Sequence, residues 1–132
     1  MPVQTSYSYS YAVIRVVPRV ERGEFINAGI IIWCPALKLL QAEISLDEER
    51  LAVLDPAVEM DEIRKHLSVI PSICRGEKEC GAIAEMPPSQ RFGWLTATRS
   101  TVIQTSPVHT GLCKDMSVMI KQSVSRLVTR PK

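Results

Sequence analysis

Apolar residues recur along this chain with two different periods, and the change of period divides it into strands and helices. From Tyr9 to Val17 the residues are strongly β-favouring, with Tyr9, Tyr11, Val13, Ile14, Val16 and Val17 among them. The run breaks at Pro18-Arg-Val-Glu-Arg-Gly23-Glu24, where proline removes a ladder donor and glycine permits positive φ. A second strand resumes from Phe25 to Trp33. By strict alternation it carries Ala28, Ile30 and Ile32 on one face and Ile31 and Trp33 on the other. Apolar side chains on both faces mark a central strand covered on both sides. After a turn at Pro35-Ala36, the stretch from Lys38 to Leu46 alternates cleanly. Leu40, Ala42, Ile44 and Leu46 share one face, and Gln41, Glu43 and Ser45 share the other. Three sequential strands with short turns predict an antiparallel meander.

The period then lengthens. Ser45 with Glu48 forms a capping-box pattern, with Asp47 as a rival N-cap, ahead of a short helix over about 47–54. Asp55-Pro56 ends it. Met60, Ile63, Leu67 and Ile70 recur at helical spacing, and this second helix ends near Pro71 or Gly76. A short helical piece follows around Cys80–Ala84, and Pro87-Pro88 stops it. Phe92 to Thr98 and Thr101 to Thr105 read as two later strands, with Ser106-Pro107 closing the second and the residues to Gly111 forming a turn. A last helix, capped by Asp115, carries Met116, Ile120, Val124 and Leu127 on one stripe. Trp33 and Trp94 are expected in the core or covering the sheet. The fold class is therefore α+β. It is an antiparallel sheet, built from the N-terminal three-stranded meander plus one or two later strands, with helices packed mainly on one face. Whether the second strand is covered within one chain or by a second copy stays open.

Composition narrows this picture. At 132 residues and 45% hydrophobic, the chain suits a single domain, 1–132, with a real core and a flexible start over residues 1–8. The net charge of +2 does not favour sequence-independent nucleic-acid binding. No stretch approaches the about 20 apolar residues of a membrane helix. The N-terminus MPVQTSYSYSY lacks the basic start and apolar run of a signal peptide, so a reducing cytoplasm is expected. Cys34, Cys74, Cys80 and Cys113 are then free thiols rather than disulfides. None of them makes the close pair that structural zinc requires, so no metal is expected. No P-loop, glycine fingerprint, zinc-protease motif or nucleophile elbow occurs, and no cofactor is implied.

Two polar segments do not help the core. The turn Arg19-Val-Glu21-Arg22-Gly-Glu24 concentrates two arginines and two carboxylates, followed by Asn27. It is either a solvated tip or a recognition loop on rigid strands, in which an arginine fork clamps a carboxylate or phosphate. The stretch from Arg91 to Gly111 holds Arg91, Trp94, Arg99, Ser100, Thr101, Gln104, His109 and Thr110. Arg99, Ser100 and Thr101 offer one planar cation and two hydroxyls for an anion. His109 is one of two histidines, and its side-chain type titrates near neutrality. A small hydrolase or phosphate-handling enzyme would use Arg99 and Arg91 to hold the anion, His109 as acid or base, and Ser100 or Thr110 to orient the substrate. Cys113, four residues after His109, makes a Cys–His pair conceivable. A third reading is an arginine patch for nucleic acid, made from Arg15, Arg19, Arg22, Arg91 and Arg99.

The runs YAVIRVVPRVERGEFINAGIIIWCP (11–35) and RFGWLTATRSTVIQTSPVHTGLC (91–113) resemble the bacterial family called domain of unknown function 3037. The resemblance extends from about Tyr9 to Leu127. The matching positions are Arg19, Glu21, Arg22, Glu24, Asn27, Gly29, Arg91, Trp94, Arg99, Ser100, Gln104, Pro107, His109, Thr110 and Gly111. The family carries no established activity. Its genes often neighbour a HipA-like kinase gene, which implies that kinase as a protein partner. The leading expectation is a non-catalytic accessory domain that binds its partner through the 19–24 turn and the 91–111 return, the two lying together.

Overall fold

The computed structural model describes residues 6–130. Strands β1 (Tyr7–Val16), β2 (Ile26–Cys34) and β3 (Leu39–Ile44) form the expected antiparallel meander. Helices α1 (Glu48–Leu54), α2 (Met60–Cys74) and α3 (Pro88–Leu95) follow, with a short 3₁₀ segment, Lys78–Glu85, between the last two. The chain then returns to the sheet as β4 (Ile103–Thr105) and β5 (His109–Cys113), and ends in α4 (Met116–Leu127). The sheet order is β3-β2-β1-β4, with β5 on the same side of β1 as β4.

β2 is the centre. Ala28, Ile30, Ile31, Ile32 and Cys34 are fully buried. On one face Ile14, Val16, Ile26, Ala28 and Ile31 meet Leu51 of α1, Leu67 and Ile70 of α2, and Phe92 and Leu95 of α3. On the other, Ile30, Ile32 and Cys34 meet Met116, Met119 and Ile120 of α4, flanked by Tyr7, Tyr9 and Tyr11. One chain thus covers its own central strand. Three helices take one face and a single helix takes the other.

A register shift decides which residue faces which helix. Ile14 pairs with Gly29, but Arg15 pairs with Asn27, so Ala28 is an extra residue on β2. The bulge reverses the alternation. Ala28 therefore sides with Ile31, not with Ile30 and Ile32 as a regular strand requires. The bulged carbonyl is not lost, because the Ser45 amide donates to it at 2.8 Å. Gly29 is tied to the same spot. A Cβ there would lie 2.4 Å from the Glu43 carbonyl oxygen.

Several expected boundaries move. Phe92–Thr98 is not a strand: its first part belongs to α3. Pro88 starts that helix with a φ already set, and Phe92 and Leu95, three apart, bury one face of it. His109–Gly111 is not a turn but most of β5, paired from Tyr11↔His109 to Tyr7↔Cys113. Its exposed, polar residues give no apolar alternation to read. Asp47, not Ser45, caps α1, accepting from Arg50 N–H at 3.1 Å. Pro71 lies inside α2, which runs on to Cys74. Of the stretch expected to be loose, Tyr7 and Ser8 belong to β1, and residues 1–5 lie outside the described residues. Trp94 is 45% exposed rather than core.

β4 and β5 are one strand interrupted. Thr105 pairs with Ile14 and His109 with Tyr11, so Ser106, Pro107 and Val108 stand opposite Ala12 and Val13. Pro107 has no amide to give the ladder. Ser106 closes the gap. Its amide donates to the Val13 carbonyl at 2.8 Å, its hydroxyl accepts from Val13 N–H at 2.8 Å, and that hydroxyl donates to the Pro107 carbonyl at 2.9 Å. The site is buried, so an amide left without an acceptor costs about 1–3 kcal/mol. Ser106→Ala is expected to lower unfolding free energy by that amount in urea titration with an unchanged slope. A loss under about 0.5 kcal/mol would show that Val13 finds another acceptor.

Candidate functional site

The polar segments resolve into side chains with separate tasks. In the first, Val20–Arg22 forms one 3₁₀ turn closed by Gly23 at φ 70°. Arg19 reaches 3.5 Å to the Asp55 carboxylate, which also accepts from Ala57 N–H at 3.1 Å. That pins the β1–β2 connection to the α1–α2 turn. Arg22 and Glu24 pair with each other, and the hydrogen bond from Arg22 holds the Glu24 carboxyl below the ordinary range. Glu21 is exposed. Asn27 donates its amide to the Leu127 carbonyl at 2.9 Å, fastening β2 to the end of α4. Its Oδ1 and the neighbouring Arg15 Nε are buried without hydrogen-bond partners. Arg15 lies over the Phe25 ring, 4.3 Å from its centroid.

In the second segment, Arg91 is structural. It donates to the Ile73 and Cys74 carbonyls at 2.7 Å each and to the Met86 carbonyl at 2.9 Å. Carbonyls at a helix end run out of intrahelical donors, and here the guanidinium supplements the Gly76 N–H that reaches the Ile73 carbonyl at 3.0 Å. Arg99 stacks on Trp94, 4.3 Å from the ring centroid, and donates to the Trp94 carbonyl. The Thr101 hydroxyl is turned to the Ile103 carbonyl at 2.7 Å, and Gln104 donates to the Thr101 carbonyl at 2.8 Å. Ser100 is exposed. The expected seat of one cation and two converging hydroxyls therefore does not form. His109 is exposed and stacks on Tyr11, with centroids 5.4 Å apart. Thr110 is exposed opposite Ser10 on the β1 ladder.

Arg99 and His109 fall on opposite faces of the sheet. Arg99 lies with Ile70, Ile73 and Leu95 on the side of α2 and α3. His109 lies directly across from Tyr11, which packs with α4. Arg99 and His109 therefore do not come together as anion holder and acid-base pair. The Cys–His pair does not form either. His109 and Cys113 are four residues apart on one strand, about 13 Å along it. The Cys113 thiol donates to Met116 Sδ at 3.0 Å, and burial raises its pKa. Burial pushes Cys74 up to about 12. Neither thiol is activated. The five arginines expected to make a patch are instead spread over both faces. Four are engaged by carboxylates, carbonyls or an aromatic ring in the ways given above, and Arg15 lies against Phe25.

The two segments also do not share a recess. The turn contributes Arg22 and Glu24 to a shallow depression with Phe25, Glu49, Arg50 and Arg130. The return forms its own recess of about 300 Å³ between α2, α3 and β4. Val69, Ile70, Ile73 and Leu95 make its apolar wall, and His66, Trp94, Arg99, Thr101 and Gln104 its polar side. Val69 and Trp94 stay 46% and 45% exposed. This recess is the best-formed site among the candidate residues. The sequence reading missed Val69, and its signal was its place off the Met60–Ile70 stripe: an apolar residue on the wet side of an amphipathic helix.

Arg91 and Arg99 separate by experiment. Arg91→Ala leaves three carbonyls without their charged donor and is expected to cost about 3 kcal/mol in urea unfolding. Arg99→Ala is expected to stay within about 0.5 kcal/mol. Equal losses would contradict this division of labour between the two arginines.

No curated protein and no solved structure matches the chain. The model of a protein family of unknown function, DUF3037, matches residues 11–128, nearly the whole chain, and both polar segments lie inside that span. The chain belongs to the DUF3037 family.

Proposed function

We propose that this chain is a non-catalytic interaction domain that binds a protein partner through the Trp94–Arg99 recess, and that the partner is a HipA-like kinase. The observation that supports the recess is the half-exposed indole of Trp94 under the Arg99 guanidinium, beside an apolar wall. Val69 and Trp94, both about half exposed, lie together in this recess, and contiguous exposed apolar surface rimmed by polar residues marks interaction sites. Tryptophan and arginine are also the residue types that dominate binding energy at protein interfaces, where an apolar anchor enters a pocket inside a polar rim. The stack holds both side chains in place before binding, so less conformational entropy is lost on association. The kinase follows from the gene neighbourhood that the family resemblance implies. Arg91, fastened to the end of α2, supports the recess from within the fold, Arg19 and Asn27 hold other parts of it, and Arg99, Gln104 and Trp94 meet the partner.

Co-expression of the chain with a HipA-like kinase encoded beside it, followed by co-purification and titration calorimetry, tests both parts. A stable complex is expected. Trp94→Ala and Arg99→Glu should each weaken it by about 30-fold or more, the effect of losing one strong interface anchor. His109→Ala, on the opposite face, should change affinity by less than about twofold. Absence of a complex removes the kinase. A complex indifferent to Trp94 and Arg99 removes the recess.

A further inference from the structure

Arg99 is a cation whose binding edge is open. Its guanidinium carbon lies over the Trp94 ring, 4.3 Å from the centroid, and one N–H donates to the Trp94 carbonyl. Stacking uses a face of this planar group, whereas its N–H donors project from the edge in a fork that matches a carboxylate. Among the described residues Arg99 has no carboxylate partner. Arg22, Arg64, Arg75 and Arg130 differ in this respect, because each pairs with an aspartate or a glutamate.

The rest of the recess adds no negative charge. Of the residues that line it, His66 and Arg99 are the ionisable ones. Glu62 stands one turn before His66 on α2, 3.9 Å from its Nε2, and is matched by Lys65 at 3.8 Å. An apolar wall therefore meets a cation with unspent donors. Given that a partner binds at this recess, we infer that it does so through one short segment, in which a single bulky apolar side chain enters the recess and an aspartate or glutamate within two positions of it pairs with Arg99.

Size limits the occupant to that pair. The recess holds about 300 Å³, the share of about ten water molecules or about ten non-hydrogen atoms. One leucine or phenylalanine side chain with a carboxylate beside it fills this space. An amphipathic helix docks through anchors at i, i+3 or i+4, and i+7, and needs a longer groove. Val69, Ile70, Ile73 and Leu95 take the anchor. The Arg99 edge takes the carboxylate through parallel N–H···O bonds, which fix its direction as well as its charge. The stack on Trp94 holds that edge in position before the segment arrives.

Random dodecamer peptides displayed on phage are selected on the immobilised full chain, with the Trp94→Ala chain as the counter-selection target. Enriched sequences are synthesised and titrated by fluorescence anisotropy. One bulky apolar residue with an acidic residue within two positions is the expected consensus. Changing that acid to its amide should weaken binding to the unmodified chain by at least about tenfold, the loss of one charge-assisted pair. The same change should cost less than about twofold against Arg99→Gln, because the two groups act on each other. If Arg99→Gln unfolds at lower urea than the unmodified chain, the peptide pair on the unmodified chain decides. A tenfold loss from acid to amide, with weaker salt dependence for the amide, upholds the inference, and a loss under twofold overturns it. Peptides that carry no acidic residue, or that tolerate the amide within twofold, overturn it while leaving the recess as the partner site. It also falls if no peptide is enriched, or if the recess instead supports a Trp94-dependent dimer of the chain. Whether the recess binds a partner at all is read separately, from the kinase complex and its response to Trp94→Ala.

Discussion

The two-sided burial of β2 is the constraint from which the rest of this fold follows. Three consecutive isoleucines, Ile30, Ile31 and Ile32, are fully buried, and adjacent residues of a strand point to opposite faces. Each such side chain contributes about 1.5–3 kcal/mol only if its own face is covered. A meander of three strands cannot do that by itself. The chain after β3 therefore supplies α1, α2 and α3 to one face. It then crosses back along the far edge of β1 and delivers α4 to the other. The β4–β5 return is the route by which one chain encloses its own central strand.

That route explains the irregular places. The return must run along β1 beside proline-containing sequence, and the ladder breaks where Pro107 has no amide. Ser106 bridges the break with a side chain in place of backbone. The bulge at Ala28 lets the far end of β2 keep its small apolar residue towards α1 and α2, while Asn27 turns towards α4 and holds its last carbonyl. Arg91 then meets the end of α2, because α3 lies across it. These polar residues sit where backbone groups would otherwise be buried without partners, which is the condition that makes a polar group structurally necessary.

The recess at Trp94 is a consequence of the same layout. β4 is short and α3 ends at Leu95, so the connection between them crosses the open side of α2. It leaves Val69 and Trp94 uncovered, with Arg99 laid over the indole. The residues of the 91–111 stretch thus divide by surroundings rather than by type. Arg91 and Arg99 are chemically identical and eight positions apart. One is fastened to three carbonyls and the other forms part of an exposed surface. Nothing in their local sequence separates them. His109 and Arg99 likewise look like partners in one polar run, but a strand passing along a sheet edge carries them to opposite faces.

Local periodicity and composition determined the class of fold, the meander, the apolar character of β2 on both faces, the amphipathic stripes of α2 and α4 and the caps near Asp47 and Asp115. Each of these depends on residues a few positions apart, where side-chain direction is set by the backbone itself. Tertiary structure alone decided that Phe92 and Leu95 lie on a helix, that the polar run through His109 is a strand, which face Ala28 takes, and which arginines are structural. Those outcomes depend on groups far apart in the chain: a proline-broken ladder against β1, a bulge satisfied by Ser45, a helix end waiting for a guanidinium. Such pairings take effect only when the sheet has closed, and their free energies then override local preference.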